Sequence, residues 1–180
     1  MTGNGAENGQ AWLSDLWWRY RGPVVRYLAR FVRDHDQIED IVQQTFIEAW
    51  HKRDAIQGPA LPWLFAVARN LAADHWQGHL RGQAMWERLC AEPLWDDGGM
   101  GYSELWRDVA EACKALTPKE RECLLLAVND DLRDHEIAGI VGISRENVRQ
   151  QRHRARAKLQ NALREVKGRR VTGRAARGEG

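Results

Sequence analysis

The chain has 180 residues, with 27 Lys and Arg against 25 Asp and Glu, a formal charge of +2, and 43% hydrophobic against 29% charged residues. That balance fits one ordinary domain or two small ones and excludes a wholly disordered polyelectrolyte. The near-neutral sum hides a split, because from Ile140 onward 12 basic residues face 3 acidic ones, a net of +9, which leaves −7 for the residues before it; one end is suited to a polyanion.

Residues 1–10 are polar and Gly-rich, without the basic start and apolar stretch of a signal peptide, and are expected to be disordered. Leu13, Leu16, Trp17 and Tyr20 form one helical stripe. Gly22-Pro23 is then expected to restart the chain as a second helix carrying Val24, Leu28, Phe31 and Val32. In the third helix Asp36 is the expected N-cap with Glu39 completing a capping box, and Ile38, Ile41, Val42, Thr45, Phe46, Ala49 and Trp50 make the apolar face. The opposite face is Asp40, Gln43, Gln44 and Glu48. A loop over Asp54 to Leu61 leads to Pro62, which opens a fourth helix with Trp63, Leu64, Val67, Ala68 and Leu71; Trp63 is read as core packing.

These four helices make a first domain over 11–83. Residues 84–102 read as a flexible acidic linker rich in Gly, Asp and Pro. A second helical domain follows over 103–167. Its first helix carries Leu105, Trp106, Val109 and Leu116, and Thr117-Pro118-Lys119-Glu120 is a capping box with proline at the first helical position. Asp134 is the expected cap of a short helix that Gly142 ends, and Ser144 caps a long one that Gly168 stops, leaving 168–180 as a disordered basic tail. No segment alternates as a strand does, so the fold class is all-α. The longest apolar runs fall far short of the roughly 18 residues that span a bilayer, so no membrane insertion and a cytoplasmic location are expected. Cys90, Cys113 and Cys123 lack zinc-finger spacing and fit neither a disulfide framework nor a metal site; no cofactor is expected.

The segment His135 to Val148 has helix-turn-helix spacing, with Ile137, Val141, Ile143 and Val148 placed to fix the crossing of its two helices. The first turn of the second helix in such a unit enters the major groove, where Arg pairs with guanine, Asn and Gln with adenine, and Glu with cytosine. Ser144, Arg145, Glu146, Asn147, Arg149, Gln150, His153 and Arg154 are the candidate readout residues, and Arg152, Arg156 and Lys158 add basic density suited to phosphate.

The run Asp36 to Trp50, followed by Pro62-Trp-Leu-Phe-Ala-Val-Ala-Arg-Asn70 and Asp74, resembles region two of bacterial RNA polymerase sigma factors. Leu116 to Leu126, with the helix-turn-helix and Arg154-Ala-Arg-Ala-Lys-Leu159, looks like region four. Both motifs in this order, with only an acidic linker between them, resemble the small extracytoplasmic-function group. The resemblance implies a non-enzymatic factor that carries core RNA polymerase to a promoter and opens the duplex. It implies that Asp40, Gln43, Gln44 and Glu48 dock on the coiled coil of the largest subunit, with the second-subunit flap as a further contact. Gln57, Gly58, Arg69, Asn70, Asp74, Trp76 and Arg81 would handle the -10 element, and the readout helix the -35 element. An apolar inter-domain surface with Trp95 and Trp106 is expected to suit control by an anti-sigma factor.

Three departures stand out: Gln44 where the group is commonly acidic, a short proline-rich loop over Gln57 to Leu61, and Gln151-Arg152 where an aliphatic residue is usual. At the last, either the stem of Arg152 covers the core or the helix packs differently. An enzyme is the weaker rival, since His75 and His79 form only a histidine pair without a third ligand. The stronger rival is a helix-turn-helix regulator that binds an operator without polymerase, because Leu116 to Glu122 also resembles the start of the output domain of response regulators.

Overall fold

A computed structural model describes residues 4–30, 32, 34–77 and 104–175, and among these every regular element is helical. The chain divides into two compact units, Met1–Leu89 and Cys90–Gly180. The expected linker 84–102 lies outside the described residues, as do Arg81, His79, Trp86, Cys90 and Trp95.

In the first unit, α1 (Asn4–Leu28), α2 (His35–His51) and α3 (Ala60–Gln77) each pack on the other two. The core is Leu16, Val24, Tyr27 and Leu28 from α1, Ile38, Ile41, Val42, Phe46 and Ala49 from α2, and Leu64, Phe65, Ala68 and Ala72 from α3. Tyr27 stacks on Phe65 with centroids 4.5 Å apart, and Trp17 meets Phe46 edge-on at 4.9 Å. Arg21 Nη2 donates to both carboxylate oxygens of Glu39 at 2.7 Å, a charge-assisted contact that ties α1 to α2.

Four expectations for this unit are corrected. Gly22-Pro23 does not break the chain: α1 runs straight through, with Pro23 inside it. Proline in a helix interior costs about 3 kcal/mol, but part of that cost is a clash with the preceding Cβ, which Gly22 lacks. Burial of Val24, Tyr27 and Leu28 just beyond, each worth about 1.5–3 kcal/mol, outweighs the rest. The N-terminus is not a disordered 1–10 segment, because α1 begins at Asn4. Gly9 anchors it: buried against Trp50, it comes so close that a Cβ there would lie 2.6 Å from the indole Cη2. The N-cap of α2 is Asp34, whose Oδ1 accepts from the amide of Asp36 at 2.9 Å, while Glu39 serves Arg21 and not a capping box. Trp63 is half-buried at the start of α3, and the core of that helix is filled by Leu64, Phe65, Ala68 and Ala72.

The second unit comprises α4 (Glu104–Cys113), α5 (Pro118–Val128), α6 (Asp134–Val141) and α7 (Arg145–Ala175), with α7 in contact with the other three. Leu116, Cys123, Leu126, Ile137, Ile140, Val141, Val148 and Ala155 are buried between them. The α5 capping box forms as expected: the Glu120 amide donates to Thr117 Oγ1 at 3.3 Å, and Glu120 Oε2 accepts from the Thr117 amide at 2.8 Å. The same buried Oε2 accepts from Lys158 Nζ at 2.8 Å, tying α5 to α7. Arg121 reaches back to the Cys113 carbonyl at 2.9 Å, closing the turn between α4 and α5.

Two boundaries differ here. Asp134 is the first helical residue of α6 and not its cap; the cap is Arg133, whose amide donates to Glu136 Oε2 at 2.8 Å. Gly168 does not stop α7, which continues into the expected tail as far as Ala175. A helical glycine costs about 1 kcal/mol relative to alanine, too little to end a helix that is already propagating and meets no proline.

Candidate nucleic-acid interface

The helix-turn-helix is built as its spacing predicts. Gly142 sits at φ 72°, in the left-handed region that favours glycine. Its amide and that of Ile143 both donate to the Ala138 carbonyl, at 3.0 and 3.2 Å. Ser144 then caps α7, its Oγ accepting from the Asn147 amide at 3.2 Å. Ile137, Val141 and Val148 are buried in the crossing, and Ile143 is half-buried beside them.

Val148 and Ala155 fix which way α7 faces, since both are fully buried. Ser144, Arg145, Glu146, Asn147, Arg149, Gln150, His153 and Arg154 are all exposed. Positions three and four apart share a helix face, so Arg145, Arg149 and His153 make one outward row and Glu146, Gln150 and Arg154 the next. All eight predicted readout residues are thus brought together on the open side of the helix.

Their electrostatic partners leave no mark in the sequence pattern. Asp134 Oδ2 accepts from Arg149 Nε at 3.4 Å and Oδ1 from Arg152 Nη1, while Glu146 lies 3.6 Å from Arg149 Nη1. The departure at Arg152 is thereby explained: its half-buried side chain is drawn onto a carboxylate of α6 in place of an aliphatic contact. Among the described residues, Arg145, Arg154 and Arg156 form no ion pair and remain open to phosphate.

In the first unit Asp40, Gln43 and Gln44 are exposed along the outer face of α2, with Glu48 half-buried on the same face. Glu48 holds Lys52 at 2.8 Å, and that hydrogen bond and charge lower its carboxyl below the usual range. Beside this row runs a groove of about 650 Å³ between α1 and α2. Leu13, Trp17, Phe46, Ile47 and Trp50 line it, with Gln43 at one edge. Helical periodicity assigns Leu13 and Trp17 to a core stripe, yet both are only half-buried, because that stripe is wider than α2 covers. Trp18 next to them is 82% exposed.

The residues predicted for the -10 element do not converge on one point. Gln57 and Gly58 are exposed in the turn before α3, with Gly58 at φ 87°. Asn70 and Asp74 form an exposed pair in the second half of α3, where Asn70 stands about 15 Å along the axis from Ala60. Arg69 is half-buried beside them. Trp76 lies in α3, but its side chain, like that of His75, is outside the described residues.

Two stretches of the chain match known families. Residues 16–82 match the family described as Sigma-70 region 2, and residues 106–159 match Sigma-70, region 4. The probable RNA polymerase sigma factor RfaY of Xanthomonas campestris pv. campestris is 34% identical over 73% of this chain, which spans only 35% of that relative's length. The RNA polymerase sigma factor CarQ of Myxococcus xanthus is 30% identical over 89% of this chain and 94% of its own. Among solved structures, the sigma factor RpoE of Bartonella quintana, determined with the anti-sigma factor NepR, is 23% identical and superposes with a TM-score of 0.60 over 84% of this chain and 96% of that one. CnrH, determined with the cytosolic domain of CnrY, is likewise 23% identical, with a TM-score of 0.57 over 87% and 90%.

Proposed function

We propose that this chain, which belongs to the extracytoplasmic-function family of RNA polymerase sigma factors, joins core RNA polymerase and directs it to promoters by reading the -35 element with α7. The observation that carries this reading is the set of eight exposed polar and charged side chains on the N-cap and first turns of α7, in a chain whose other unit matches region two.

The exposed face of α2, Asp40, Gln43, Gln44 and Glu48, is the proposed contact with the coiled coil of the largest polymerase subunit, and the second unit is the part proposed to meet the flap of the second subunit. The turn at Gln57-Gly58 and the α3 residues Arg69, Asn70, Asp74 and Trp76, with Arg81 beyond, are proposed to hold the melted -10 strand. Unstacking costs a few kcal/mol per step, which capture of an extruded base and contacts to the single strand offset without an energy-rich cofactor. About 15 Å of α3 separates Ala60, next to that turn, from Asn70, a spacing suited to an extended strand running along the helix.

No catalytic chemistry is assigned to the chain, and it is proposed to act in the cytoplasm, where its template is. Among the described residues no helix is long and apolar enough to cross a membrane. Control by an anti-sigma factor is carried over from the complex of RpoE with the anti-sigma factor NepR.

Purified core polymerase is expected to be retained by the immobilised chain and to start transcripts at discrete sites only when the chain is added. Tight operator binding by the free chain, without polymerase retention or start-site selection, would instead establish a polymerase-independent regulator.

A further inference from the structure

Resting on the reading of α7 as the -35 helix, we infer that Asp134 is a positioning residue for base readout, holding the Arg149 guanidinium so that its terminal edge is presented to a guanine. Asp134 contributes nothing to the outward row itself. It sits on the first turn of α6 with its side chain only 19% exposed, and its two oxygens are divided between Arg149 and Arg152, one turn apart on α7.

The division has a direction. Arg149 is gripped through Nε, the nitrogen that a guanine contact can spare, which leaves the Nη1 and Nη2 end for the O6 and N7 acceptors of guanine in the major groove. An arginine reaching from a bare helix must give up rotamer freedom on binding, whereas one already tethered at Nε has less to lose. Arg152 is held by the opposite oxygen through Nη1. Its side chain is 23% exposed against 53% for Arg149, so Arg149 is the one aimed outward, and Arg152 is a half-buried second partner on which that aim does not depend. Glu146, 66% exposed and 3.6 Å from Arg149 Nη1, flanks that end loosely and can swing aside.

The arrangement carries a cost that makes it testable. A carboxylate beside the DNA-facing row neutralises part of its charge, so Asp134 trades general affinity for selectivity. A merely structural ion pair would support both.

The test uses core polymerase reconstituted with the full chain and a pool of duplexes carrying a randomised segment, sequenced after selection. Arg149→Ala is expected to lose a guanine preference at one position. Asp134→Asn, with Arg149 intact, is expected to lose the same preference by about tenfold. On an unselected duplex of fixed sequence the Asp134→Asn chain should bind more tightly, with a salt dependence steeper by about one phosphate contact. Arg152→Met, which leaves Asp134 to Arg149 alone, should keep the preference. If Asp134→Asn does not fold, the double variant Asp134→Asn, Arg152→Met removes the stranded guanidinium and is read in the same way.

Retention of the guanine preference without Asp134 would overturn the inference, as would its loss in Arg152→Met or weaker binding of Asp134→Asn to the unselected duplex. So would an Arg149→Ala chain that loses no guanine preference, while leaving the sigma reading intact. If the native chain enriches no sequence with core polymerase, that reading itself falls.

Discussion

Glu120 shows how one buried carboxylate can serve two layers of structure. Burial pushes its carboxyl up, but the hydrogen bond from Lys158 and those with Thr117 outweigh burial and leave it below the usual range. A group whose folded pKa is depressed contributes stability above its unfolded value, near 4.3 for a free glutamate, and that contribution is lost as pH falls through the folded value. The second unit is therefore expected to unfold at lower urea as pH drops through the acidic range, and Glu120→Gln to flatten that dependence. Lys158→Met strands the carboxylate. Breaking a fully buried pair costs about 3–5 kcal/mol and an exposed one under about 1; with the lysine partly exposed, a loss of about 1–2 kcal/mol by urea titration is expected. The cap itself was legible, because Thr117 and Glu120 are three residues apart. Lys158 was not, because 38 residues of chain separate it from its partner.

At the scale of the element, the same contrast divides the well-read parts from the misread ones. The α6–α7 turn was plain because Gly142 and Ser144 act through bonds to residues three to five positions away. Gly142→Ala is expected to cost about 1–2 kcal/mol, the price of a Cβ in the left-handed region. A Cβ there would meet no other atom, so Gly142→Asn should recover much of the loss in the same urea titration. The start of α1 was hidden for the opposite reason: its anchor, Gly9, has no side chain to register in a periodic pattern, and Trp50 lies on another helix. Gly9→Ala is expected to force the indole aside at about 1–3 kcal/mol and to speed hydrogen exchange in the first turns of α1 while the middle of α3 keeps its protection. Gly22-Pro23 has the form of a break, and only the burial of Val24, Tyr27 and Leu28 decides against it. Arg21 likewise took Glu39 away from the cap predicted for it.

For the molecule as a whole, the net +9 beyond Ile140 overstates the charge available to a duplex. Arg149, Arg152 and Lys158 already face carboxylates, whereas among the described residues Arg145, Arg154 and Arg156 pair with none. The variant Arg156→Ala is expected to weaken binding to all duplexes alike and to lower the slope of log affinity against log salt by about 1. Loss confined to particular sequences would mark Arg156 as a base reader instead. The eight outward residues of α7 were legible because a 3.6-residue period and two buried positions fix a helix face. The spatial arrangement of the residues proposed for the -10 element was not, because they come from a turn and from the far half of α3, and no period in sequence joins them. The groove between α1 and α2 also escaped the sequence, since an apolar stripe does not reveal how much of it a neighbour will cover. That groove gives the protein an optical property: Trp17 and Trp50 stand in its walls, half in water, so an apolar body entering it would dry both indoles and shift their emission to the blue. The native chain thus carries its own unlabelled fluorescent reporter of what settles on its first unit.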